Sequence, residues 1–170
     1  MFRKLALALL LIVPLWANAE TAGVMVLGFN LDDRTANPNA PEEIDRIALL
    51  TKSMKEALEQ KGVALVEPNA EIEQVNQNNS ATYLFDRVDE AADLAKDSNA
   101  RYLLIAVAFK PTYLFVYPRT LLVDIATRKV VEAQAFQLES SWSDPNTTMN
   151  TGKKIAKSVA DKLKALENGQ

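Results

Sequence analysis

The sequence predicts a single α/β (α+β) domain in which helices flank a mixed β-sheet, in the chain order β-α-β-α-β-β-β-α. Three observations carry this expectation. An apolar run, a helix-periodic stretch and a second short apolar run follow one another from Val24 to Val66, the pattern of a parallel strand–helix–strand unit. From Arg101 the character changes to long apolar runs broken by turn residues, as in an antiparallel meander. The last stretch returns to apolar residues at helical spacing.

Val24 to Leu31 reads as the first strand. Met25, Leu27, Phe29 and Leu31 would share one face, and Val24, Val26 and Gly28 the other. Both faces lack charge, so the strand is expected to be central and covered on both sides. Asn37-Pro38-Asn39 marks a loop. Pro41 suits a first helical turn, and Glu42 and Glu43 complement the positive end of its dipole. Ile44, Ile47, Ala48, Met54, Ala57 and Leu58 then form an apolar stripe, and Gly62 stands just past the helix end. Val63 to Val66 is a short strand.

Asn69 to Ala81 is rich in Asn, Gln and Glu, and reads as a short helical piece followed by a surface loop at Asn76–Ser80. Val88 to Lys96 is the next helix, with Val88, Ala91, Ala92 and Ala95 on one side. Tyr102 to Phe109 is a nearly unbroken apolar strand. Tyr113 to Ile125 is another, in which Pro118 points to an edge or a bulge. Tyr113, Phe115 and Tyr117 alternate on one face of that strand, which favours packing over an exposed aromatic stripe. Ala126 to Lys129 turns, and Val130 to Leu138 returns. Ser140 to Asn150 is a polar loop carrying Trp142. The final helix presents Ile155, Val159, Leu163 and Leu166, surrounded by lysines.

The amino terminus has the order of a secretory leader. Arg3 and Lys4 precede an apolar stretch from Leu5 to Leu15, and Ala17-Asn18-Ala19 is a small-x-small cleavage site. Residues 1–19 are therefore expected to be a signal peptide, with residues 20–170 the mature single domain in the periplasm. No later run is apolar and long enough to span a bilayer as a helix. The chain carries a formal charge of −3 and no dense basic run, which disfavours nucleic acid as a partner.

The chain contains neither histidine nor cysteine. Ser-His-Asp and Cys-His catalysis, thiol redox chemistry and disulfides are thus excluded, as are the usual nitrogen and sulfur ligands of zinc and copper. Any bound metal would be a hard cation held by oxygens. No serine has a lysine three positions on, so the S-x-x-K nucleophile is absent. Thr151-Gly152-Lys153-Lys154 brings Gly-Lys to an expected helix start. Thr147 stands where a phosphate-binding loop needs glycine, however, and Lys154 where it needs Ser or Thr. A lysine-rich solvated face is the better reading of that stretch.

The candidate binding residues are Asn30, Asp32, Asp33, Arg34, Arg46 and Trp142. Clustered oxygens at Asn30, Asp32 and Asp33 are what a calcium-like ion requires, and strand ends are where open α/β sheets place ligands. Against this, neighbouring residues on a strand point to opposite faces. Asp and Asn also favour strand ends simply by bonding nearby amides. An ion pair from one aspartate to Arg34 or Arg46 is the plainer expectation. Trp142, in a polar loop, either pins that loop to the core or meets a partner, and pinning is favoured.

Five stretches taken together carry a family resemblance: "VMVLGFNLDD", "IDRIALLTKSMKEALEQKG", "NARYLLIAVAFKPTYLFV", "LLVDIATRKVV" and "SSWSDPNTTMNTGKKIAKSV". The chain resembles a group of secreted bacterial domains of unknown function, related in topology to the TolB amino-terminal domain and to CsgG-type envelope proteins. Asp32, Arg46, Asp124, Thr127, Lys129 and Trp142 match that pattern. Arg128 departs from it, standing where a turn glycine is usual, and the lipid-bearing cysteine of the envelope lipoproteins is absent. The resemblance implies a TolB amino-terminal-like fold. Because some members neighbour genes of periplasmic quinoprotein alcohol oxidation, it also implies an accessory role by association.

The expected function is an uncharacterised periplasmic binding or accessory module, not an enzyme and without a cofactor. It would contact another envelope protein through a sheet edge near Pro118 or through the Trp142 loop. The alternative is a small-ligand or hard-cation binding protein that uses the Asn30–Arg34 strand end. A hydrolase built on Asp or Glu pairs ranks below both.

Overall fold

The computed structural model describes residues 23–138 and 140–169. The expected leader and its cleavage site lie outside the described residues. The elements in chain order are β1 (Gly23–Val26), β2 (Asn30–Asp33), α1 (Pro41–Gln60), β3 (Leu65–Val66), α2 (Ala70–Asn78), α3 (Tyr83–Asp86), α4 (Val88–Ala95), β4 (Ala100–Lys110), β5 (Tyr117–Asp124), β6 (Lys129–Ala135) and α5 (Pro145–Glu167). The strands form one mixed sheet in the order β3-β1-β4-β5-β6, and β2 pairs with the far half of β4. β1 is parallel to β3 and β4, β2 is parallel to β4, and β4–β5–β6 is an antiparallel meander.

Helices cover both faces of this sheet. Val24, Val26, Leu104 and Ala106 pack with Leu50 and Met54 of α1 and Ile155 and Val159 of α5. Met25, Leu27, Leu103 and Ile105 pack on the other side with Ile72, Leu84, Ala91 and Ala95 of α2–α4. The strict alternation along β4 explains why its sequence shows no polar face: both faces are core.

The first strand is not the single run expected from the sequence. β1 pairs Val24 with Tyr102 and Val26 with Leu104, whereas β2 pairs Asn30 with Val107 and Asp33 with Lys110. Four steps from Val26 to Asn30 thus oppose three steps of β4, a one-residue slip of the kind a bulge produces. The slip inverts the pleat. Phe29 and Leu31 join Val24 and Val26 on the α1–α5 face, while Met25 and Leu27 face α2–α4. The expected grouping of Met25 and Leu27 with Phe29 and Leu31 is therefore corrected. The Phe29 amide leaves the ladder and donates to Thr51 Oγ1 at 3.0 Å.

α1 begins at Pro41, and Gly62 follows it with φ +80°. Its buried line is Ile47, Leu50, Met54, Ala57 and Leu58; Ile44 and Ala48, expected within the stripe, are exposed. α2 extends through Asn76–Asn78, which were expected to be loop; Asn69 caps it by accepting from the Ile72 amide. α5 also starts earlier than expected. Asp144 caps it, accepting from the Asn146 amide, and Pro145 stands in its first turn. Gly152 is consequently inside the helix, where it lets α5 approach α1 closely. A Cβ there would lie 2.9 Å from Ser53 Cβ and 3.0 Å from the Met54 amide nitrogen.

β5 starts at Tyr117, so residues 113–116 belong to a loop and not to the strand. Pro118 is on an inner strand between β4 and β6, and β6 supplies the sheet edge instead. The expected edge near Pro118 is corrected on that ground. In the β5–β6 turn, Asp124 Oδ1 accepts from the Thr127 amide, and Arg128 adopts φ +57°, the conformation that glycine enters at least cost.

Candidate functional site

β2 and β4 run in parallel and end together, which sets Asp33 directly beside Lys110. The Lys110 Nζ lies 3.2 Å from Asp33 Oδ2 and 3.1 Å from Glu43 Oε1. The side chains of Asp33 and Lys110 are 0% and 2% exposed. Glu43 arrives from the first turn of α1. Its Oε1 also accepts from Arg46 NH1 at 2.7 Å, and its Oε2 accepts from Trp142 Nε1 at 2.5 Å. Two carboxylates thus balance two cations in an enclosed site, which offsets the cost of removing those charges from water.

Burial alone would raise the Asp33 pKa. The Thr35 amide, which donates to Oδ1 at 3.0 Å, and the Lys110 ammonium outweigh it, and the carboxyl is held below its ordinary value of 3.8. Lys110 spends its charge on two carboxylates, so the cluster presents neither a free nucleophile nor a free acid–base pair. The arrangement fixes position: it binds the ends of β2 and β4, the start of α1 and the loop before α5 to one another.

The structure divides the six expected residues. Asp33, Arg46 and Trp142 are brought together, joined through Lys110 and Glu43. Asn30 and Asp32 point to the opposite face of β2. Asn30 Nδ2 donates to Asn76 Oδ1 at 2.8 Å, tying β2 to α2. Asp32 pairs with the exposed Arg34 at 2.6 Å. The oxygens of Asn30, Asp32 and Asp33 therefore do not converge on one ion. Among the described residues, no group of three or more acidic side chains is arranged to hold a metal. Trp142 is 4% exposed, so it pins its loop through Glu43 and is not itself a contact surface.

Lys110 and Glu43 carry the cluster, and sequence reasoning named neither as a site residue. One signal was present: a lysine closing an otherwise apolar strand, directly before Pro111.

Above this cluster stands the β4–β5 loop. Tyr113, Leu114 and Phe115 are 63%, 80% and 54% exposed. Phe115 stacks on Tyr117 with ring centroids 6.4 Å apart. Lys110 Nζ lies 5.5 Å from the Tyr113 ring centre, and Val116 is buried in the core below. The expectation that Tyr113 and Phe115 pack inside is corrected: the strand that would have buried them begins only at Tyr117.

Among the described residues, no helix is long and apolar enough to cross a membrane. The family model DUF3280, described as "Protein of unknown function (DUF2380)", matches residues 22–145. No curated protein matches the chain. Similar solved structures include the LpoB C-terminal domain from Escherichia coli, at 15% identity and TM-score 0.49, with 71% of this chain and 84% of that chain covered. The lipoprotein GNA1162 from Neisseria meningitidis matches at 16% identity and TM-score 0.49, covering 84% of this chain and 96% of that one. A putative neuraminyllactose-binding hemagglutinin homolog from Helicobacter pylori matches at 11% identity and TM-score 0.49, covering 88% and 87%.

Proposed function

We propose that this chain, which belongs to the DUF3280 family of proteins of unknown function, is an exported accessory module that acts by contacting another protein of the bacterial envelope. The observation that carries this reading is the Tyr113–Leu114–Phe115 tip. Three large apolar side chains are held in water by a short loop whose base is fixed by the Lys110 cluster and by Val116. A preorganised apolar projection loses little freedom on binding and gains by leaving water. Aromatic residues in such a position are frequent anchors of protein contacts.

This reading places the contact on the β4–β5 tip and not on Pro118 or Trp142. It keeps cleavage after Ala19, a periplasmic location and a topological relation to TolB amino-terminal and CsgG-type domains as parts of the same proposal. The hard-cation alternative has less support, because Asp32 and Asp33 diverge and each has a cationic partner.

The test is site-specific photocrosslinking in intact cells, with the reactive side chain at position 114 and a control at the exposed Val130. A discrete protein adduct from position 114, absent from position 130 and lost in a Tyr113→Ser/Phe115→Ser background, is the expected result. The same adducts from both positions, or none from position 114, would overturn the reading.

A further inference from the structure

The two helical layers carry troughs of opposite charge. On the α1–α5 layer, an open trough of about 680 Å³ is lined by Lys61, Lys153, Lys154 and Lys157, with Ala57, Gln60 and Asn150 and no carboxylate. On the α2–α4 layer, a trough of about 630 Å³ is lined by Glu71, Glu90, Asp93 and Asp97, with Lys96 the only basic residue lining it. These layers lie on opposite faces of the sheet.

Three of these four lysines, Lys153, Lys154 and Lys157, belong to a ridge on α5, and Lys61 faces them from the end of α1. Asn146, Asn150, Lys153, Lys154, Lys157, Asp161 and Lys164 are exposed at steps of one, three and four residues, which makes one stripe along α5. Asp161, which pairs with Lys157 within that stripe, has its pKa lowered, first by Lys157 and then by Lys164 and Lys61. Lys153, Lys154, Lys157 and Lys164 outnumber that one aspartate along the stripe, so its net charge is positive. In the acidic trough, Arg128 engages Asp93 at 2.6 Å and Tyr83 donates to Glu90, and Glu71 and Asp97 complete its acidic lining.

We propose that the occupant of each trough is a second copy of this chain, the α5 ridge of one molecule lying in the α2–α4 trough of the next. The two surfaces are similar in size and opposite in sign, and they face away from each other on one rigid sheet. Such a contact is head-to-tail, so it propagates into a ring or a filament and does not stop at a dimer. It is electrostatic and exposed, so each pair contributes little and salt weakens it.

Sedimentation velocity of the chain from residue 20 tests this. In about 20 mM salt the mean mass should rise with protein concentration, and it should return to that of a monomer in 0.5 M salt as screening shortens to a few ångströms. Lys153→Glu/Lys157→Glu gives a molecule acidic on both faces, and Glu71→Lys/Asp97→Lys one basic on both. Each variant alone should stay monomeric, with unchanged circular dichroism, and an equimolar mixture should associate again. A wild type that is monomeric at every concentration in low salt would overturn the proposal. So would variants that associate alone, or a mixture that does not. Salt-sensitive binding of the monomer to phosphatidylglycerol vesicles or to oligoglutamate, without self-association, would assign the ridge to a membrane or an acidic peptide and likewise overturn it.

Discussion

Asp33 and Lys110 meet across β2 and β4 with 3.2 Å between carboxylate and ammonium, and neither side chain reaches solvent appreciably. Their strands end in register, so the pair closes the sheet at the point from which the exposed loop departs.

Removing one partner of a buried pair leaves the other uncompensated. Asp33→Asn should destabilise the fold by roughly 2–4 kcal/mol, at the lower side of such losses because Glu43 still holds Lys110. Lys110→Met should cost more, since it leaves two carboxylates facing each other. Urea unfolding of both variants and of the double variant gives the coupling directly; additive losses would show that the pair does not act as a unit.

The same carboxylate sets an acid limit. Folded Asp33 has a pKa below 3.8, so its contribution is fully present above that value and is lost as pH falls through the lower, folded one. Wild type should lose stability below about pH 4 more steeply than Asp33→Asn, whose side chain does not titrate. Parallel acid slopes in the two proteins would remove Asp33 as the cause.

Trp142 should matter through its nitrogen as well as its ring. Trp142→Phe keeps most of the packing but leaves Glu43 Oε2 without its donor, at a cost of about 1–3 kcal/mol. Trp142→Ala should cost about 3–5 kcal/mol. In the chain from residue 20, Trp142 is the one tryptophan, so both variants lack an indole signal and their melting is compared with wild type by far-ultraviolet circular dichroism. Equal melting of the Phe variant and wild type would show that the Glu43 bond contributes nothing net.

Gly152→Ala sets two effects against each other. Alanine favours helix by about 1 kcal/mol, but its methyl would meet the Met54 backbone nitrogen at 3.0 Å and the Leu50 carbonyl at 3.2 Å. Backbone does not yield as a flexible side chain does, so overpacking should win and leave a net loss of about 1–2 kcal/mol. A higher melting temperature for Gly152→Ala would show that α5 can shift at no cost.

Arg128→Gly tests the turn. Glycine relieves an L-residue held at φ +57°, worth about 1 kcal/mol, and gives up an exposed pair with Asp93 worth less. The variant should melt at or slightly above wild type, and Arg128→Val clearly below both.

Where local chemistry decided the structure, it was legible. Pro41 and Gly62 mark the ends of α1, and alanines at helical spacing mark the buried side of α4. The slip between β1 and β2 was not legible, because a strand apolar on both faces carries no alternation from which to read a phase. Tyr113, Phe115 and Tyr117 alternate as a strand would, yet Pro111 and the loop keep the first two out of the sheet. Asp144-Pro145 is a helix-start signature, but the polar stretch around it read as loop. Glu43 read as a dipole-complementing residue, and nothing local shows that it faces a lysine 67 positions away.

The slip has a consequence for how the chain tolerates changes of length. Residues 27–29 act as a vernier between two scales: β1 pairs at an offset of 78 positions to β4, β2 at an offset of 77. Deleting one residue, such as Gly28, would make three steps oppose three, so a single ladder could run through with Asp33 still beside Lys110 and with Phe29 and Leu31 still on the α1–α5 face. Forcing the two strands into one ladder at the present length would instead set Asp32 beside Lys110 and turn Asp33 toward α2. The segment is thus one residue longer than its pairing needs, and the sheet should accept the loss of that residue more readily than a further insertion.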